Sequence, residues 1–115
     1  MKSSEIRFKI ELDDQNYPDK IFWNASDGAS EGLEEAKAIT MSIWDHFRKE
    51  TLRIDLWGKD MPVDEMKRFY IDTIGGLATS LRNATNDEFM ASEMEKLCDT
   101  LVKHVQAEEE QQKKK

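Results

Sequence analysis

At 115 residues, with 38% apolar and 36% charged side chains and a net charge of −7, the chain has the length of one domain and the composition of a folded, heavily solvated one. Its 24 acidic residues are spread along the chain, and only the three lysines at 113–115 could neutralise several phosphates together, which excludes nucleic acid and anionic membrane surfaces as expected partners. No stretch approaches the roughly 18 apolar residues of a membrane span, MKSSEIRFKIELDD lacks the apolar run of a secretory leader, and the lone Cys98 offers neither a disulfide nor a metal spacing, so a cytoplasmic protein is expected.

Ile6, Phe8, Ile10 and Leu12 alternate with Glu5, Arg7, Lys9 and Glu11, the period of two of a half-buried strand. Turn-forming residues at 13–19, with Asn16 and Pro18, lead to a second short strand at 20–24 that returns antiparallel to the first. SDGAS at 26–30 offers Ser30 as a helix N-cap with Glu31 in the first turn, and Leu33, Ala36, Thr40, Ile43, Trp44 and Phe47 recur at steps of three and four, predicting a first helix that ends near Glu50. Leu52, Ile54 and Leu56 then alternate with Arg53 and Asp55 as a third strand.

The stretch WGKDMP connects this strand to a second helix: Gly58 supplies the turn, Asp60 or Met61 the cap, and Pro62 sits in the first turn, where its missing N–H costs little. Val63, Met66, Phe69, Tyr70, Thr73, Ile74, Leu77 and Leu81 mark one side of this helix. Ile71, Gly75, Ala78 and Arg82 form another stripe, and each of Gly75 and Gly76 costs about 0.8–1 kcal/mol relative to Ala within a helix, so close packing is expected there, against the third helix or a partner. Thr85 and Glu88 are spaced as a capping box that starts the third helix, whose apolar line is Met90, Met94, Leu97, Cys98, Leu101 and Val105. The polar tail at 108–115 is expected to fray. The order strand, strand, helix, strand, helix, helix gives an α+β domain at 1–107, a small sheet of about three strands with one face covered by helices.

Chemistry-bearing groups do not assemble into an active site. His46 with Asp45 and Glu50, and His104 with Glu108, supply fewer than the three or four convergent ligands of a zinc site. Cys98 lies on an apolar helix line, where a thiol behaves as a small hydrophobe. Asp55 with Asp60 and Asp64 with Glu65 are unspecific pairs in so acidic a chain, and GASEG at 28–32 lacks the Lys-Ser/Thr ending of a P-loop. A pocket near Asp55, Trp57, Asp60 and Met61 is the only expected place for an enzyme site, since strand ends beside helix starts often host one. Trp23, Trp44 and Trp57 are expected to build the core. Phe22 must point away from Ile21 and Trp23, toward a loop or a partner.

IFWNASDG, EEAKAITMSIWD at 34–45, ETLRIDLWGKDMPVDEMK and ATNDE resemble the GldC family of gliding motility proteins of the Bacteroidota, over about residues 4–105, with RIDLWGKDMPVDEMKRF the most specific run. The resemblance implies a small soluble cytoplasmic protein associated with gliding, a process linked in these bacteria to type IX secretion, and it carries no catalytic residues. The expectation is a non-enzymatic accessory protein without cofactor or metal, acting through contacts with the gliding or secretion apparatus. A small acidic chaperone for a secretion or motility client, of homodimeric form, is the alternative. The expected contact residues are Phe22, Ile71, Gly75, Ala78, Trp57 and Met61.

Overall fold

The computed structural model describes residues 2–26 and 32–114. They fold as two compact units, Met1–Pro62 and Val63–Lys115, and the described strands all fall in the first and the helices in the second. The class is α+β, as expected. The element order is not: among the described residues five strands precede two helices.

In the first unit, β1 (Ile6–Leu12) and β2 (Pro18–Ala25) pair antiparallel, with Phe8 opposite Trp23 and Ile10 opposite Ile21, so the period of two in β1 meets that of β2 on one apolar face. The loop between them is organised by Asp13, whose Oδ1 accepts the backbone N–H groups of Gln15 at 2.9 Å and Tyr17 at 3.0 Å. Asn16 takes the left-handed backbone region with φ 67°, which an Asn tolerates. A short β3 (Glu34–Ala36) adds to the other edge of β2, with Ala36 opposite Ile21, and Ile21 is fully buried.

The predicted first helix is instead β3 and β4 (Ala38–Trp44), and β4 pairs antiparallel with β5 (Thr51–Trp57) in a second sheet. The three- and four-residue spacing passed over Ile39 and Met41. These residues and Ile43 form a period of two that meets Leu56, Ile54 and Leu52 across the hairpin. The β-branched and aromatic content of AITMSIW suits that pleated surface, and cross-strand packing overrides the helical propensity of the preceding EEAKA. The expected cap Ser30 and first-turn Glu31 lie outside the described residues. The turn closing the hairpin is held by Asp45, whose N–H donates to Glu50 O at 2.9 Å and whose Oδ2 accepts Arg48 N–H at 2.6 Å.

The second unit is a helical hairpin of α1 (Val63–Thr85) and α2 (Glu88–Lys113). α1 runs unbroken through Gly75 and Gly76, and α2 continues past Val105 into the polar stretch as far as Lys113. The expected capping box is replaced by a different cap. Thr85 is the last residue of α1, its hydroxyl donating to Leu81 O at 2.8 Å, while Asp87 is the N-cap of α2 and accepts Met90 N–H at 3.0 Å. Glu88 turns instead to Arg82, at 2.8 Å, and Arg82 also pairs with Glu95 at 2.7 Å. Each carboxyl of this trio is held below its ordinary pKa by the Arg82 guanidinium.

Candidate functional site

The sheet of β4 and β5 has two unlike faces. Ile39, Met41, Ile43, Leu52, Ile54 and Leu56 share one; Ala38, Thr40, Ser42, Trp44, Arg53, Asp55 and Trp57 share the other with Thr51. On this second face the Arg53 guanidinium ties four side chains together. It donates to Ser42 Oγ at 2.6 Å, to Thr40 Oγ1 at 2.6 Å and to Asp55 at 2.9 and 3.2 Å, while the Thr40 hydroxyl also donates to Asp55 Oδ1. Arg53 and then Thr40 hold the Asp55 carboxyl below the ordinary aspartate range. Trp57 lies at one end of this row and Trp44 at the other, both exposed.

The residues after β5 are pinned to Lys37, between β3 and β4, and to the β1–β2 loop with the start of β2. Gly58 N–H donates to Lys37 O at 2.8 Å, and Lys59 N–H reaches Pro18 O at 3.4 Å. Gly58 is buried, and a Cβ there would come within 3.2 Å of Asp60 Oδ1 and 3.6 Å of Lys37 O, so glycine admits the close approach. The Lys59 ammonium pairs with Asp13 at 3.0 Å and sits 3.9 Å from Asp19. The Tyr17 N–H and then Lys59 depress the Asp13 pKa, and Asp13 in turn raises that of Lys59. Lys37 and Asp60 form a second clamp at 3.2 Å, which lowers the Asp60 pKa and raises that of Lys37.

Between the loop and the strand end lies a cavity of about 470 Å³, walled by Asp13, Gln15, Tyr17 and Pro18 on one side and by Asp55, Leu56, Trp57 and Lys59 on the other. It includes Asp55 and Trp57 of the pocket expected from the sequence. Asp60 turns to Lys37 instead, and Met61 is held by its N–H to Gly58 O at 3.1 Å. A general base working near neutral pH needs a raised carboxyl pKa, and both aspartates here are shifted the other way, Asp13 by the Tyr17 N–H and then Lys59, Asp55 by Arg53 and then Thr40. The cavity sets two aromatic rings beside hydrogen-bonded carboxylates. Tyr17, Asp13 and Lys59 were not singled out in the sequence. Their signal is only the turn chemistry of DDQNYP, which says that a loop exists and not what faces it.

The indoles correct another expectation. Trp23, Trp44 and Trp57 are 38%, 64% and 49% exposed and do not form the core. Phe22 lies where alternation puts it, opposite the Ile21 and Trp23 face, with Lys9 and Glu35 as its register neighbours, and is half-buried. The stripe of Ile71, Gly75, Ala78 and Arg82 is taken up by α2. Cys98 Sγ lies 3.7 Å from Ile71 O and 3.9 Å from where a Gly75 Cβ would stand, Ala78 is fully buried, and Arg82 bridges to Glu88 and Glu95. The close packing expected of these small residues is therefore the α1–α2 seam. Cys98 belongs to that seam, half-buried.

Among the described residues, no group of three or more His, Cys, Asp or Glu is placed to hold a metal ion, and no helix is long and apolar enough to cross a membrane. His46 stacks edge-on against Phe47 at 4.8 Å, and His104 faces Glu108 at 3.4 Å. The profile of the family described as "Gliding motility-associated protein GldC-like" matches residues 18–107, more than half of the chain. No curated protein and no solved structure matches.

Proposed function

From the premise that the chain belongs to the GldC-like family, associated with gliding motility, we propose that it is a non-enzymatic accessory protein that works through protein contacts with the gliding or type IX secretion apparatus in the cytoplasm. The observation that carries the contact role is the exposed row on β4 and β5, with Trp57 and Tyr17 around an open cavity. Large aromatic side chains at a concave, partly polar surface supply the contact area and hydrogen-bonding groups from which protein interfaces draw most of their energy. Phe22 and Met61 are the further contact residues of this reading.

Crosslinking in living gliding cells, followed by capture of the chain and mass spectrometry, tests the proposal. Reproducible adducts with motility or secretion components are expected. Recovery of abundant cytosolic proteins alone, at the level given by an unrelated acidic protein of the same size, contradicts it.

A further inference from the structure

We propose that the outer edge of β1 pairs antiparallel with β1 of a second copy, on a two-fold axis through Lys9, and so joins two three-stranded sheets into one of six strands. In the order β1-β2-β3 this strand is an edge, and no strand among the described residues pairs with its other side. The direction of its backbone groups follows from Glu5, just before it. Glu5 N–H donates to Ser26 Oγ and its carbonyl accepts Ser26 N–H, both at 2.9 Å, so residue 5 turns toward β2. Alternation along the strand turns Arg7 and Lys9 the same way and leaves the N–H and C=O groups of Ile6, Phe8 and Ile10 on the outer edge. Native edges are commonly blunted by brevity, proline or a bulge. β3, the opposite edge, is three residues long, whereas β1 has seven residues without a proline and no register shift before Glu11.

The side chains choose the partner and the register. One face carries Ile6, Phe8, Ile10 and Leu12, of which Ile6, Phe8 and Leu12 are 68%, 39% and 54% exposed; the other carries Arg7, Lys9 and Glu11. With Lys9 on the axis, Phe8 stands opposite Ile10 of the second copy and Ile6 opposite its Leu12, while Arg7 stands opposite its Glu11 at two symmetric places. Phe8 and Ile10 both point outward, so each pair they form exchanges N–H···O bonds in both directions. A slip of one residue sets Arg7 against Ile10 and mixes the faces. A slip of two in one direction sets Arg7 against Lys9 and Glu5 against Glu11; in the other it draws in Asp13, which the loop amides and Lys59 already hold. Within one chain Arg7 reaches Glu5 at 3.0 Å and Lys9 lies 3.8 Å from Glu11. These exposed pairs are weakly held, and Glu11 offsets the two lysines that meet at the axis.

Light scattering on the full chain across the micromolar range is expected to give twice the 13.4 kDa of one chain. In a Cys98→Ala background, Lys9→Cys is expected to form an intermolecular disulfide at least about fivefold faster than Arg7→Cys, because only position 9 meets itself. Arg7→Glu places like charges at both symmetric sites and is expected to weaken the dimer about fivefold or more, and adding Glu11→Arg to it is expected to restore the dimer. This charge swap needs no thiol, so it decides the matter even if Cys98→Ala loosens the helices. A monomer throughout, a dimer in which position 9 crosslinks no faster than position 7, or a double variant that associates no more tightly than Arg7→Glu overturns the proposal.

Discussion

The β unit and the helical hairpin are of similar length, yet their organisation reaches across very different spans of sequence. In α1 and α2 each turn is specified by residues three or four positions apart, and the connector is settled by Thr85, Asn86 and Asp87 alone. In the β unit the decisive partners are remote: Asp13 meets Lys59, Lys37 meets Asp60, and the fate of residues 38–44 depends on β5. Local signals fix the helices, whereas the sheets and the cavity exist only once distant segments pair.

Mutations in the two units probe that contrast separately. All three tryptophans lie in the β unit, so their fluorescence reports on it, while circular dichroism at 222 nm follows the helices. Ile21→Ala empties the one large, fully buried side chain among the described residues and is expected to lower the stability seen by tryptophan fluorescence by about 2–5 kcal/mol in urea denaturation. A loss below about 1 kcal/mol means that β2 is not the centre of this unit's core. In the helical hairpin, Ala78→Leu forces extra volume into the α1–α2 seam and should cost about 1–3 kcal/mol by the helical signal. No cost would place Ala78 away from α2.

Two smaller changes test the local rules of the helices. Asp87→Ala removes the N-cap of α2 and is expected to cost about 1 kcal/mol, whereas Glu88→Gln, which keeps that cap, should cost less. Gly76→Ala meets nothing within 4 Å and should stabilise α1 by about 0.5–1 kcal/mol, seen as a higher midpoint in thermal or urea unfolding.

How much of this was legible follows the same division. β1, β2, β5 and the two long helices could be read from periodicity, because each shows its face within its own segment. The helix drawn through residues 33–50 failed because Leu33, Ala36, Thr40 and Ile43 fit a helical stripe locally, while the competing alternation of Ile39, Met41 and Ile43 gains its energy only from Leu52, Ile54 and Leu56. The capping residue was missed by two positions, since Thr85 and Asp87 are both good caps and the left-handed Asn86 between them decides which one serves. Of the cavity, Asp55 and Trp57 were visible as the end of a strand beside a turn. Tyr17 and Lys59 were not, because nothing in either segment announces the other.

The acid limb of stability gives the smallest effect and bears on the remote contacts. Asp13, Asp55 and Asp60 have folded-state pKa values below their unfolded ones, so the native state binds fewer protons and is favoured above the unfolded aspartate pKa. Their contribution is fully present at neutral pH and is lost as the pH falls below about 4, through the depressed folded values. Asp13→Asn should flatten that loss as followed by tryptophan fluorescence between pH 6 and pH 3, and added salt should shrink the difference, because the Lys59 ammonium is exposed while Asp13 is half-buried. An unchanged acid profile would remove the Asp13–Lys59 pair from the account.

Whether the aromatic cavity face of the β unit is the working surface is tested most directly by placing a photo-crosslinking residue at Tyr17 in gliding cells, with one at the exposed Lys103 of α2 as control. Discrete adducts with motility or secretion components are expected from Tyr17, weakened when Trp57 is replaced by alanine, and none of these from Lys103. The same adducts from both positions, or from neither, would contradict it.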